Sequence, residues 1–220
     1  MNMKIGIKVL ESTREFADAF TGQMATIINA AVSRAQAGIV NEIKGSVFDW
    51  VHQSDVINAL VFGDGKLLKG IGLPDAYARN AAEQILNAVV DSVEIEFKKF
   101  SKNLRGGGFT LNIQPEDFGN VLSIANANIP RPYGRELAWL EWLLIEGNKV
   151  LITDYQIHYG NFGNRSRTRT AIMIEKPGGY WKMPSQFAGV SNDNFLTRAL
   201  KDREDEIVKI IEEQISLYIK

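Results

Sequence analysis

The stretch STREFADAFTGQMATIINAAVSRAQAGIVNEIKGSV, residues 12–47, decides the architecture. Phe16, Phe20, Met24, Ile27, Ile28, Ala31, Ala35, Ile39, Ile43 and Val47 recur every three or four positions, which keeps one apolar stripe on one side of a helix. Ser12, with Glu15 three residues later, forms a capping-box start. The hydroxyl and the carboxylate can each satisfy a backbone amide that the first turn leaves unpaired. Uninterrupted, such a helix is ~50 Å long at ~1.5 Å per residue, longer than a compact domain of this size needs. Ala25, Ala30, Ala37 and Gly38 lie away from the stripe and permit close backbone approach to a second surface. Gly22, Gly38 and Gly45 each weaken a helix interior by roughly 1 kcal/mol, which predicts a kink or break near one of them.

Upstream, residues 3–10 alternate Ile5, Ile7 and Val9 against Lys4, Gly6 and Lys8, the period-two pattern of a half-buried strand. That alternation supplies no apolar run followed by a small-residue cleavage site, so export by a signal peptide is not expected. Downstream, the pattern predicts helices over 55–62, behind a Ser54 cap, and over 74–90, with Pro74 in the first turn. The glycine-rich residues 63–66 and 70–72 between them read as turns. Val93, Ile95, Phe97 and Phe100 predict a strand, 103–108 a glycine-rich loop, and 109–113 the returning strand. Pro115-Glu116-Asp117 opens a short helix with acids at its positive end, and 126–132 is a loop. Residues 136–146 form a helix apolar on nearly every side, which calls for burial all round or a place at an interface.

A second strand pair follows, 149–159 and 171–175, joined by the polar loop 160–169. Pro177-Gly178-Gly179 then makes a turn before the short extended piece 180–183. A final helix is expected from Asn192 or Asp193 to about Tyr218, with a charged outer face. The order of elements is α+β: a long N-terminal helix and a C-terminal helix packed on a small antiparallel sheet with two extended hairpins. The whole of 1–220 reads as a single domain, with a helical portion 1–90 and a sheet-plus-helix portion 91–220 as its internal division.

The 220 residues carry 25 Lys+Arg against 26 Asp+Glu, and the net charge of -1 predicts no global attraction to nucleic acid or anionic lipid. Hydrophobic residues make up 45 %, enough for a core without staples, which excludes a disordered chain. With no cysteine, zinc ribbons, iron–sulfur clusters, thiol nucleophiles and disulfides are all excluded. The least charged stretch, 19–41, is interrupted by too many polar residues to span a bilayer.

Acid–base chemistry has one candidate, His158. Alternation sets it on the same strand face as Asp154, but ~14 Å away at ~3.4 Å per residue, too far for a hydrogen bond. His52 ends a helix, where capping explains it. No calcium loop, phosphate loop or G-x-S-x-G elbow is present, and no cofactor or metal is expected. The concentrated charge is Arg165, Arg167 and Arg169 at the tip of the second strand pair. Their guanidinium groups suit phosphates or a partner's carboxylates as well as solvent. Trp139 and Trp142, on the apolar helix, suit a core or a subunit contact.

Three stretches, Leu137-Ala-Trp-Leu-Glu-Trp-Leu-Leu144, Ser166-Arg-Thr-Arg-Thr-Ala-Ile-Met173 and Asn192-Asp-Asn-Phe-Leu-Thr-Arg-Ala-Leu200, in this order ahead of a charged terminal helix, resemble the virion neck and tail-completion proteins of tailed bacteriophages. The resemblance covers roughly a third of the chain well, and the first half only in outline. It implies a non-enzymatic protein that assembles as a homo-oligomeric ring at the head-to-tail junction. It also implies partners among the connector, tail-terminator or tail-tube proteins, DNA passing nearby in the channel, no membrane, and residence in the virion after assembly in the host cytoplasm. The candidate interface is then Trp139, Trp142, Arg165, Arg167 and Arg169, joined by Phe195 and Arg198 of the third stretch. The chain departs from the family pattern at Arg169, where that pattern has glycine. The alternative reading is a small hydrolase or nucleotide-binding enzyme that uses His158 and the arginine-bearing loop.

Overall fold

A computed structural model describes residues 13–63, 65–129, 136–166 and 169–219. Eight α-helices and four strands are found among them: α1 Thr13–His52, α2 Asp55–Phe62, α3 Gly65–Ile71, α4 Asp75–Asp91, β1 Glu94–Lys98, β2 Gly108–Asn112, α5 Gly119–Leu122, α6 Trp139–Leu144, β3 Val150–Tyr159, β4 Ala171–Lys182, α7 Phe195–Leu200 and α8 Glu204–Ser216. The fold class is α+β, and the strands pair as two separate two-stranded sheets, β1 with β2 and β3 with β4. The strand expected over 3–10 and the Ser12 cap lie outside the described residues.

Helix α1 runs 40 residues without interruption, so its glycines do not break it. The chain divides into two compact units. One unit comprises Met1–Glu42, Glu94–Leu111 and Asp205–Lys220; the other comprises Ile43–Val93 and Asn112–Glu204.

In the first unit α1 buries Ala25, Ala31, Val32, Ala35 and Ile39, a face richer in alanine than in large side chains. Phe16 and Phe20, the first two members of the predicted stripe, remain exposed. Small residues hold the helix close to its neighbours. A side chain at Gly38 would collide with Gln214 of α8, and Asn29 exchanges two hydrogen bonds with Phe100, Nδ2 donating to its carbonyl and Oδ1 accepting from its amide, both at 2.9 Å. Phe97 lies 5.2 Å from Phe109 across the β1–β2 pair and 6.3 Å from Phe100. No residue of α8 is fully buried.

The second unit holds the main core. Ile43, Val47 and Val51 of α1 are buried, as are Val56, Ile57 and Leu60 of α2, Ile85 and Val89 of α4, and Trp139, Leu140, Leu143 and Leu144 of α6. Each such side chain contributes roughly 1.5–3 kcal/mol of transfer free energy. Helix α2 forms as its sequence predicts. Ser54 Oγ accepts from the Ile57 amide, and Gly63 closes the helix at φ 74, a left-handed conformation that glycine adopts without cost.

Three expectations are corrected in this unit. The supposed turns are largely helical, since α3 spans Gly65 to Ile71 and takes in residues 65, 66, 70 and 71. The short helix after Pro115 starts only at Gly119, whose amide donates to Asp117 Oδ1 at 3.0 Å. The terminal helix is two helices, α7 and α8, separated where Asp202 takes φ 58. Arg203 explains that break: its guanidinium lies 5.1 Å from the centre of the Trp50 ring, and Nε donates to the Ala199 carbonyl at the end of α7.

Asn194 ties α7 to α6 and is completely buried. Its Oδ1 accepts from the Leu196 and Thr197 amides at 3.0 Å each, and its Nδ2 donates to the Leu144 and Val190 carbonyls at 3.1 Å each. Beside it Gly189 and Gly147 let two backbone segments meet, with the Gly147 amide donating to the Gly189 carbonyl at 2.9 Å. A Cβ on Gly189 would overlap the Leu143 carbonyl oxygen.

Candidate functional site

The β3–β4 hairpin and the groove beneath it concentrate the features expected of an assembly surface. Both belong to the second unit. The strands pair antiparallel, from Val150↔Lys182 at the base to Tyr159↔Ala171 at the outer end. Val150, Tyr155, Tyr159, Met173, Ile174 and Tyr180 are all exposed, Tyr180 to 65 %. A two-stranded sheet has no interior in which to bury such side chains, and among the described residues neither strand pairs with another.

The ladder is interrupted in its middle. Thr153 pairs with Tyr180 and Tyr155 with Glu175, so residues 176–179 of β4 stand opposite Asp154 alone. Asp154 adopts φ 63 and Gly178 φ 73, and the Gly178 amide donates to Asp154 Oδ1 at 3.0 Å. Gly179 has no room for a Cβ, which would meet the Lys176 and Tyr155 carbonyl oxygens. The turn read at Pro177-Gly178-Gly179 is thus a bulge within one long strand.

The bulge bends the hairpin back on itself. Trp181 pairs with Ile152, seven residues before Tyr159, a separation of ~24 Å on a straight strand. Yet the Trp181 ring and the Tyr159 hydroxyl both reach Gly70 of α3, where an added Cβ would stand 3.1 Å from the ring and 3.8 Å from the hydroxyl oxygen. Burial raises the Tyr159 pKa above its ordinary value, and the Trp181 side chain beside it offsets part of that rise.

Under the bend lies an open groove of about 930 Å³ between α3, α6 and the hairpin. Trp142 of α6 meets Trp181 edge to face, with ring centres 6.4 Å apart. Ile152, Ile157, Ile172 and Met173 give the groove apolar walls, and Lys69, Arg165, Glu136 and Glu141 charge its rim. Lys149 is paired with Glu146 at 2.9 Å, and that hydrogen bond and charge raise its pKa.

The predicted interface residues separate. Trp142 and Arg165 line the groove together. Trp139 is wholly buried, its Nε1 donating to the Asn126 carbonyl at 2.8 Å, and Phe195 is buried as well; both are core residues and not surface contacts. Arg198 is exposed and bidentate to Asp193, with contacts of 2.6 and 3.0 Å, and this hydrogen-bonded pair lowers the Asp193 pKa and raises that of Arg198. Arg169 lies at the hairpin end with φ 61; Arg167 lies outside the described residues.

His158 is exposed opposite Ile172, and the Asp154 carboxylate on its strand face serves the bulge. His52 stacks on Phe48 at 5.7 Å. Among the described residues no three His, Asp or Glu gather as a metal site, and no helix is long and apolar enough to cross a membrane. Sequence reading missed Tyr159, Trp181 and Gly70. Their only signal was the Pro-Gly-Gly interruption of an otherwise strong strand.

No family model, no curated protein and no solved structure matches the chain.

Proposed function

We propose that this chain is a structural subunit of the head-to-tail junction of a tailed bacteriophage, a neck or tail-completion protein that forms a ring and joins connector to tail. The observation that carries this reading is the β3–β4 hairpin. It exposes apolar side chains on both faces and, among the described residues, leaves both edges unpaired, an arrangement that is completed by a neighbouring subunit. The three stretches that resemble the family support it. So does Arg169, whose φ of 61 lies in the backbone region glycine favours, at the position where the family pattern has glycine.

In this role the chain assembles in the host cytoplasm and resides in the virion, with its own copies and the connector, tail-terminator or tail-tube proteins as partners. Arg165 and Arg169 serve protein contacts or the DNA channel locally. The test is the oligomeric state of the purified chain and its presence in particles, alongside a variant carrying Val150→Glu, Ile174→Glu and Tyr180→Glu. A ring that is lost in this variant while the helical circular dichroism is retained agrees with the reading. A strictly monomeric chain that copurifies with no virion component refutes it.

A further inference from the structure

We infer that the outer half of the β3–β4 hairpin is an exchange arm, which in the assembled state leaves its own groove and occupies the same groove of a second copy of this chain. The inference rests on the ring reading above and names the contact that makes the ring.

Three observations carry it. First, the outer half joins the rest of the molecule through a built hinge, the bulge in which residues 176–179 oppose Asp154 alone, with Asp154 and Gly178 both at positive φ. A non-glycine residue in the left-handed region is held there at a cost, and straightening the strand relieves it. Second, the bent arm fits its groove chemically but does not fill it. Tyr159 reaches Trp181 and Gly70, and Ile157, Ile172 and Met173 face the groove. About 930 Å³ nevertheless stays open, and Tyr159 and Met173 remain 53 % and 54 % exposed.

Third, the arm of a second copy carries the same side chains. Every contact made within one chain is therefore available between two, which is the condition for exchanging an identical element. What tips the balance is the additional surface. An arm extended to a neighbour brings Ile174, Tyr180 and Val150, exposed in the bent form, close to another subunit. The contact places arm on groove rather than like on like, so it is heterologous and propagates around a ring.

The absence of cysteine and the known contacts of Tyr159 suit a photo-cross-linking test. The full chain is made with Tyr159→p-benzoylphenylalanine, and separately with Met173→p-benzoylphenylalanine in case the first change prevents folding. Each is prepared in light and nitrogen-15-labelled form, mixed in equal amounts under refolding conditions, irradiated, and read by mass spectrometry for adducts to the peptides holding Gly70 and Trp181. For a freely exchanging arm about half of these adducts join a light to a heavy peptide. Deleting residues 177–179 leaves Lys176 opposite Asp154 in a regular ladder, and the straightened arm should raise the share of oligomer at equal concentration. An oligomer whose adducts are all light–light or heavy–heavy refutes arm exchange and leaves the ring intact. A monomer with only such adducts, in both the parent and the deletion variant, refutes the exchange and the ring together.

Discussion

Asn194→Ala is expected to destabilise the second unit by about 3 kcal/mol, because one side chain closes two helices at once. Its Oδ1 caps α7 by accepting from the Leu196 and Thr197 amides, and loss of such a cap costs about 1 kcal/mol. Its Nδ2 donates to the carbonyls of Leu144 and Val190. Val190 keeps a second partner, since its carbonyl also accepts from the Asp193 amide, so it loses little. Leu144 ends α6, and its carbonyl is left without a donor in a site where Asn194 is completely buried; such an orphan costs about 2 kcal/mol.

Asn194→Asp separates the two terms. The aspartate keeps the acceptor for the amides but turns a second oxygen toward the Leu144 and Val190 carbonyls, so only the capping term survives. All four tryptophans, Trp50, Trp139, Trp142 and Trp181, lie in the second unit. Urea unfolding followed by tryptophan fluorescence therefore reads this unit directly, with the midpoint shift at constant slope as the measure. A loss below about 1 kcal/mol for the alanine variant would refute the assignment of Asn194 as the joint between α6 and α7.

Gly189→Ala should destabilise the same unit by roughly 3 kcal/mol, because its Cβ would meet the Leu143 carbonyl, rigid helical backbone that cannot yield; the same urea titration reads it. Asp193 titrates below its ordinary 3.8 because Arg198 hydrogen-bonds it, so its contribution is present above that pH and is lost as pH falls through the lowered value. In Arg198→Gln the Asp193 midpoint, followed by NMR, should rise toward 3.8. Tyr159 has the opposite sign. Its pKa is raised by burial, so the fold-back contact is fully present below pH 10.0 and weakens as pH rises through the raised value; ultraviolet titration of the phenol, with and without residues 177–179, follows it.

Local rules reach far along this chain and stop at tertiary ones. Helix α2 is legible to the residue because Ser54 and Gly63 are local signals. Helix α3 is not, since Gly65 and Gly70 read as turn residues, and only the Trp181 ring lying against Gly70 explains a glycine inside that helix. The break between α7 and α8 contains neither glycine nor proline; it depends on Arg203 reaching Trp50, 153 positions earlier in the chain (203 minus 50). At the site the two strands and the tip arginines are visible in the alternation, and the aromatic latch is not. Tyr159 and Trp181 lie far apart along any straight strand and meet only because Asp154 and Gly178 take left-handed backbone angles. Trp139 suits a core or a subunit contact in the sequence, because an aromatic residue on an all-round apolar helix carries no mark of depth, and Phe195 joins the candidate interface only through the resemblance. Burial decides their role.

The unbroken length of α1 makes phase a hereditary constraint. In the second unit its buried side chains Ile43, Val47 and Val51 share one face, four residues apart. Inserting one residue between Val47 and Val51 would turn the last of them about 100° off that face and advance it by about 1.5 Å, which would point a packed side chain into water. Seven residues bring it back to within about 20°. Length variation in this segment is therefore admissible only in near-integral turns, like teeth on a gear, however freely the glycine-rich loops elsewhere grow or shrink.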